Sequence, residues 1–183
     1  VEGVETRTVG RDAELRTLQN AYFDAAEGGE TQAVVVSGDA GVGKSRLLYE
    51  FLAWAELRPE QFWLFKARAR AETQSAPYSV LRDLFSNRFQ ILESDSAATA
   101  LSKFRAGTAG YLETERADLV GQLSGLDFTS SQAVSNLLTS ASFAPMATAY
   151  LLQYLRAMAA ERPVVWVLED LHWADDSSLD LLD

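Results

Sequence analysis

The chain has 183 residues with a formal net charge of −10, no cysteine and one histidine, His172. That is length for one domain, or one domain with a small appendage, and enough to bury a core. The acidic balance opposes general attraction to DNA, RNA or anionic lipid; the missing thiols exclude disulfides and thiolate metal sites, and a lone His172 builds no multi-histidine centre.

Residues 1–9 read as an extended lead-in. From Asp12 to about Glu27, Leu15, Leu18, Tyr22 and Ala25 recur at helical spacing, and Gly28-Gly29 is the stop signal. Ala33 to Val36 is a short apolar, β-branched run before Ser37-Gly38 and predicts a buried strand. A helix is predicted from Lys44 to about Leu57, with Leu47, Leu48, Phe51, Leu52 and Ala55 on one face and Pro59 closing it. Phe62 to Ala67 predicts a second strand. Pro77 suits the first turn of a helix whose face is Val80, Leu81, Leu84, Phe85 and Phe89.

Residues 93–146 are weakly patterned. Short helical stretches fall near 97–106, 110–124 and 131–139, with Gly107, Gly110, Gly121 and Gly125 between or within them. A longer helix, about Met146 to Ala160, carries Tyr150, Leu151, Tyr154, Leu155 and Met158. Pro163 opens the run Val164 to Leu168, the most strand-like segment in the chain, and Asp175 or Asp176 is placed to cap a last helix. Strands alternating with helices predict an α/β fold with a parallel sheet, helices on its faces, and a helical insertion over roughly 93–160. No apolar run approaches the roughly 18 residues of a membrane span, and no signal sequence opens the chain. A cytoplasmic location fits. Because the chain begins at Val1 rather than methionine, it is expected to be a piece of a longer protein.

Gly38-Asp39-Ala40-Gly41-Val42-Gly43-Lys44-Ser45 fits G-x-x-x-x-G-K-[ST], the Walker A or P-loop pattern. Glycines let backbone N–H groups turn inward around a phosphate with no Cβ in the way. The helix that follows aims its positive end at the same anion. Lys44 is a compact cation for the β- and γ-phosphates, and Ser45 offers a hydroxyl to Mg²⁺. Candidate phosphate contacts are therefore Gly38, Gly41, Val42, Gly43, Lys44 and Ser45. Arg46 follows them in the chain, although a solvated helix position is its plainer reading.

Val164-Val165-Trp166-Val167-Leu168-Glu169-Asp170 is an apolar strand ending in two carboxylates, a Walker B pattern. Acids at the C-terminal end of a parallel strand lie where open α/β sheets bind ligands. Glu169 is assigned to the metal, directly or through water, together with Ser45. Asp170 is assigned to orienting water or acting as general base. Lys44, Glu169 and Asp170 are thus the candidate catalytic set.

"TVGRDAELRTLQNAY", "VVVSGDAGVGKSRLLYEF" and "PVVWVLEDLHWADDSSLDLL" together resemble the ATPase domains of the STAND and AAA-like group. They are most similar to those found beside class III adenylate/guanylate cyclase domains, helical repeats or LuxR-type DNA-binding domains in signalling proteins. The resemblance implies a P-loop NTPase fold with strand order 5-1-4-3-2, ATP as nucleotide, and a slow ATP/ADP switch rather than metabolism. It also places Gly10 and Arg11 toward the adenine. It implies partner domains on the same polypeptide, with oligomerisation open and no nucleic-acid or membrane contact by this segment. Two departures stand out. The first acid is Glu169 where many relatives carry Asp, and the strand that the family sets between the P-loop strand and the strand of Glu169 falls outside the chain. A nucleotide-binding switch without turnover is the alternative reading; a small-molecule kinase is disfavoured by the acid pair and the Leu171 to Asp175 tail.

Several residues have plainer readings beside the functional ones. Arg11 pairs as well with a helix acid as with a base. Trp166 and Trp173 suit packing, His172 a structural position, and Asp175 a helix cap. Arg68 and Arg70 read as surface charge, with a neighbour's phosphates as the alternative.

Overall fold

In the computed structural model the described residues are 10–59 and 61–182. The lead-in expected over residues 1–9 lies outside them. The chain divides into two compact units, Val1–Gln61 and Phe62–Asp183.

The first unit contains α1 (Asp12–Gly28) and α2 (Lys44–Glu56). Leu18 and Tyr22 of α1 and Leu47, Phe51, Leu52 and Ala55 of α2 are buried, the faces the spacing predicts. An aromatic cluster joins the helices. Trp54 meets Phe23 and Tyr22 edge-on at centroid distances of 5.5 and 5.8 Å, and the Arg58 guanidinium lies 4.7 Å from the Trp54 centroid. α1 stops where Gly29 turns left-handed (φ 70°) and returns its N–H to the Ala25 carbonyl at 3.2 Å. Only glycine adopts that turn without a Cβ penalty.

The strand expected at Ala33–Val36 is a correction. Among the described residues this segment joins no ladder, and Val35 is 89% exposed. Apolar β-branched residues favour an extended backbone, but a strand exists only where a neighbour takes up its N–H and C=O groups.

The second unit is built on a two-stranded parallel sheet of β1 (Trp63–Arg68) and β2 (Val164–Glu169). Trp63 stands opposite Val164 and Arg68 opposite Glu169. Trp63 N–H donating to Pro163 and Ala69 N–H donating to Glu169 extend the pairing at both ends, at 2.8 and 3.0 Å. Parallel neighbours need a long crossover, and the helical insertion supplies it. These two strands are also neighbours in the strand order the resemblance implies. α3 (Ser79–Phe89) packs on β1, burying Val80, Leu81, Leu84 and Phe85 as predicted.

The weakly patterned stretch holds α4 (Ala97–Thr108), α5 (Thr114–Leu123) and α6 (Gln132–Leu137), followed by α7 (Phe143–Ala159). α5 buries Ala117, Asp118, Leu119, Val120, Gly121 and Leu123, so it is covered nearly all round and carries no single apolar stripe. Asp118 is tolerated there because Arg105 grips it with two bonds of 2.8 Å. The Phe128 ring stands where a Cβ on Gly121 would go. α7 starts three residues before the expected Met146: Pro145 lies in its first turn, where a missing N–H costs nothing. Phe85, Phe104, Phe128 and Tyr154 centre the core, with Phe85 and Phe104 edge-on at 5.0 Å.

Candidate functional site

The P-loop lies wholly within the first unit and runs from Gly38 into α2. Gly41 (φ 81°) and Gly43 (φ 92°) hold left-handed conformations that any side chain would strain. Gly43 is also the N-cap of α2, so no side chain covers the helix's positive end. The Lys44 ammonium donates to the carbonyls of Gly38 (2.8 Å) and Asp39 (2.9 Å). From the N-cap position of α1, Arg11 Nη2 donates to the Val42 carbonyl at 2.8 Å, while its Nη1 faces Glu14 Oε1 at 3.5 Å. Gly10 precedes it with φ 86°. Arg46 is drawn along the helix instead, with Nε 3.1 Å from Glu50 Oε1 and its guanidinium over the Tyr49 ring.

A cavity of about 250 Å³ opens beside Arg11, between α1 residues Glu14, Thr17 and Leu18 and the segment Val34 to Ser37. It is smaller than a usual ligand pocket and includes none of the motif residues Gly38 to Ser45.

The acids lie in the second unit. Glu169 ends β2, partly buried. Asp170 follows in a left-handed conformation (φ 56°), a strained one that Asp tolerates better than most residues. Its Oδ2 lies 2.7 Å from Arg68 Nε, at the end of the neighbouring strand. That hydrogen bond, with the Asp170 charge, raises the Arg68 guanidinium above its ordinary value. The Arg68 amide donates to Asp83 Oδ2 at 2.8 Å, and Arg70 Nη1 stands 3.7 Å from Asp83 Oδ1. Both arginines thus have carboxylate partners within the unit. Sequence reasoning missed Arg68 as the partner of Asp170. The available signal was two adjacent parallel strands ending in opposite charges.

Asp175 takes the capping role and extends it. Its carboxylate accepts the Ser178 amide (2.9 Å) at the start of α8 (Asp176–Leu182). It also accepts the amides of Tyr78 (2.8 Å) and Ser79 (2.9 Å) at the start of α3. Burial pushes this carboxyl up, but bonds from the Ser178 and Ser79 hydroxyls and the Ser178 and Tyr78 amides more than reverse it, leaving it below its ordinary value. His172 is exposed, its ring 5.1 Å from that of Trp173, which is 41% exposed; Trp166 packs against the core.

Among the described residues no three His, Cys, Asp or Glu side chains cluster to hold a metal. Of the residues expected to hold a metal, Ser45 lies in the first unit and Glu169 in the second. No helix among the described residues is long and apolar enough to cross a membrane.

A family model described as "AAA ATPase domain" matches residues 7–183. An uncharacterized protein of Rhizobium meliloti (strain 1021) is 27% identical over 180 residues, which is 95% of this chain and 16% of that protein. The chain therefore spans about a sixth of that relative's length. No solved structure matches it.

Proposed function

We propose that this chain, which belongs to the AAA ATPase domain family, is an ATP-binding, Mg²⁺-dependent ATP-hydrolysing regulatory module of a signal-transduction protein. Membership of the family implies the P-loop NTPase α/β fold and nucleotide binding; the signalling role and the turnover are our reading.

The carrying observation is the loop itself. Lys44 and Arg11 between them hold the carbonyls of Gly38, Asp39 and Val42. With those oxygens occupied, the loop presents amides to an anion rather than carbonyls. In this reading the amides of residues 41–45 and the Lys44 ammonium bind the phosphates, Lys44 leaving its own loop's carbonyls to do so. Ser45 and Glu169 are the residues to hold Mg²⁺, which would screen phosphate charge when bound. Asp170 orients the attacking water. The chain's 16% share of its Rhizobium relative supports one module in a long polypeptide. Partner domains of the cyclase, helical-repeat or DNA-binding kind and a cytoplasmic location belong to the same proposal, as does a switch of the STAND type.

The test is phosphate release from ATP by the full-length protein. Release that Asp170→Asn abolishes while ATP still binds supports hydrolysis. A specific observation favours a second reading, a switch without turnover: the Asp170 carboxylate is engaged by Arg68 at 2.7 Å. ATP binding with no release by the wild type would establish that reading instead.

A further inference from the structure

We infer that Arg11 is a positioning residue for the phosphate loop, a strut that aims the Gly43 amide at the anion, rather than a contact for the base. The inference rests on the nucleotide-binding reading above.

A trans peptide is planar, and its C=O and the N–H of the next residue point to opposite sides. Whatever grips the carbonyl of one residue therefore sets the direction of the following amide. Lys44 grips Gly38 and Asp39 and so sets the amides of Asp39 and Ala40. Arg11 grips Val42 at 2.8 Å and so sets the amide of Gly43. Gly43 has no side chain to restrain it and sits at φ 92°, so its peptide plane is among the freest in the loop. A bond from outside the loop is what fixes it.

The two cations differ in one respect. Lys44 must release its carbonyls to reach a phosphate, whereas Arg11 faces the carbonyl side and can hold Val42 with the ligand present. Its own aim is set twice: its carbonyl accepts the Leu15 amide in the first turn of α1 at 3.0 Å, and Glu14 stands 3.5 Å from its other guanidinium nitrogen. The chain Glu14, Arg11, Val42 carbonyl, Gly43 amide thus ties the N-terminus of α1 to the phosphate loop. An arginine committed in this way serves the end of the nucleotide that every nucleoside triphosphate shares.

The prediction is loss of affinity without change of base preference. ATP, GTP and inorganic tripolyphosphate, which has the phosphates and no base, are titrated against a fluorescent ATP analogue bound to the full chain. Arg11→Ala is expected to weaken all three by a common factor of about ten, the worth of one charge-assisted hydrogen bond. Arg11→Lys, which keeps a donor and the charge, is expected to recover most of it. Loss for ATP with tripolyphosphate unchanged would make Arg11 a base contact and overturn the proposal, as would no change for any probe. If Arg11→Ala fails to fold, judged by circular dichroism and melting, Glu14→Gln carries the test. A common loss of about twofold for the three probes supports the strut, and no change refutes it. Wild-type protein that binds neither ATP nor tripolyphosphate would remove the nucleotide reading itself, a result distinct from any of these.

Discussion

Replacing Asp175 with alanine removes five hydrogen bonds at once, because one carboxylate of 4% exposure serves the starts of two helices. The Ser79 and Ser178 hydroxyls can turn to other acceptors and count for little. The amides of Tyr78 and Ser79 cannot, whereas the Ser178 amide keeps the Asp175 backbone carbonyl at 3.1 Å. A lost helix cap costs about 1 kcal/mol, and a buried amide left without an acceptor about 1–3 kcal/mol. Two caps with partial relaxation come to about 3 kcal/mol for Asp175→Ala. Asp175→Asn keeps one acceptor oxygen and is expected to lose about half as much. Since the folded carboxyl lies below its ordinary value, its contribution is complete above the unfolded value of about 4. It is lost as pH falls through the lower folded value. Urea unfolding followed by tryptophan fluorescence checks both points. The gap between wild type and Asp175→Asn should be constant from pH 5 to 8 and close below about pH 4. A loss under about 0.5 kcal/mol for the alanine variant at pH 7, far below the value of even one cap, would refute the double-cap argument. So would a gap that persists unchanged to pH 2.5, well below the ordinary carboxylate value of about 4.

Arg105→Ala should cost about 2 kcal/mol in the same unfolding assay. It strands Asp118, whose side chain is 4% exposed; the half-exposed arginine lets water reach the pair and keeps the loss below that of a fully buried one. Arg105→Lys should recover only part of it, because an ammonium cannot reproduce the two-pronged grip on both carboxylate oxygens. Arg68→Ala bears on function. It frees the Asp170 oxygen that Arg68 Nε holds at 2.7 Å, and is expected to raise phosphate release from ATP severalfold with KM unchanged. A fall in release would mean that Arg68 holds Asp170 in its working position.

Elements whose apolar residues line one face were legible in the sequence. α1, α2, α3 and α7 each bury residues of the predicted stripes, with Leu15, Ala25, Leu48, Phe89, Tyr150 and Leu155 half-buried at their margins, and β2 follows Pro163 directly. Two segments lacked that signal for opposite reasons: α5 was expected as a helical stretch near 110–124 and is one at Thr114–Leu123, whereas Ala33–Val36 was expected as a strand and is none. α5 is buried on all sides, so periodicity has no contrast to report; what holds it is a buried Asp118 met by Arg105 and a glycine that makes room for Phe128. Ala33–Val36 has the composition of a strand, yet among the described residues nothing pairs with it. Composition states what a segment can be, and pairing is decided by another part of the chain.

The same division runs through the candidate site. The motif Gly38 to Ser45 is readable because the P-loop pattern sets residue types at fixed short spacing, and Glu169 and Asp170 because they close an apolar, strand-like run. What controls these groups comes from far along the chain: Arg11 reaches Val42 across 31 positions, Arg68 reaches Asp170 across 102, and Asp175 reaches Tyr78 across 97. Loop closure over such distances is arranged by the fold as a whole and leaves no local pattern. Arg68 comes nearest to being readable, because parallel pairing puts the ends of β1 and β2 side by side and those ends carry opposite charge. That placement makes the Arg68–Asp170 pair a property of the strand register. A one-residue slip of β1 would move Arg68 to the other face and release Asp170 with no change in either side chain. The engagement of Asp170 by Arg68 is thus linked to how β1 sits against β2.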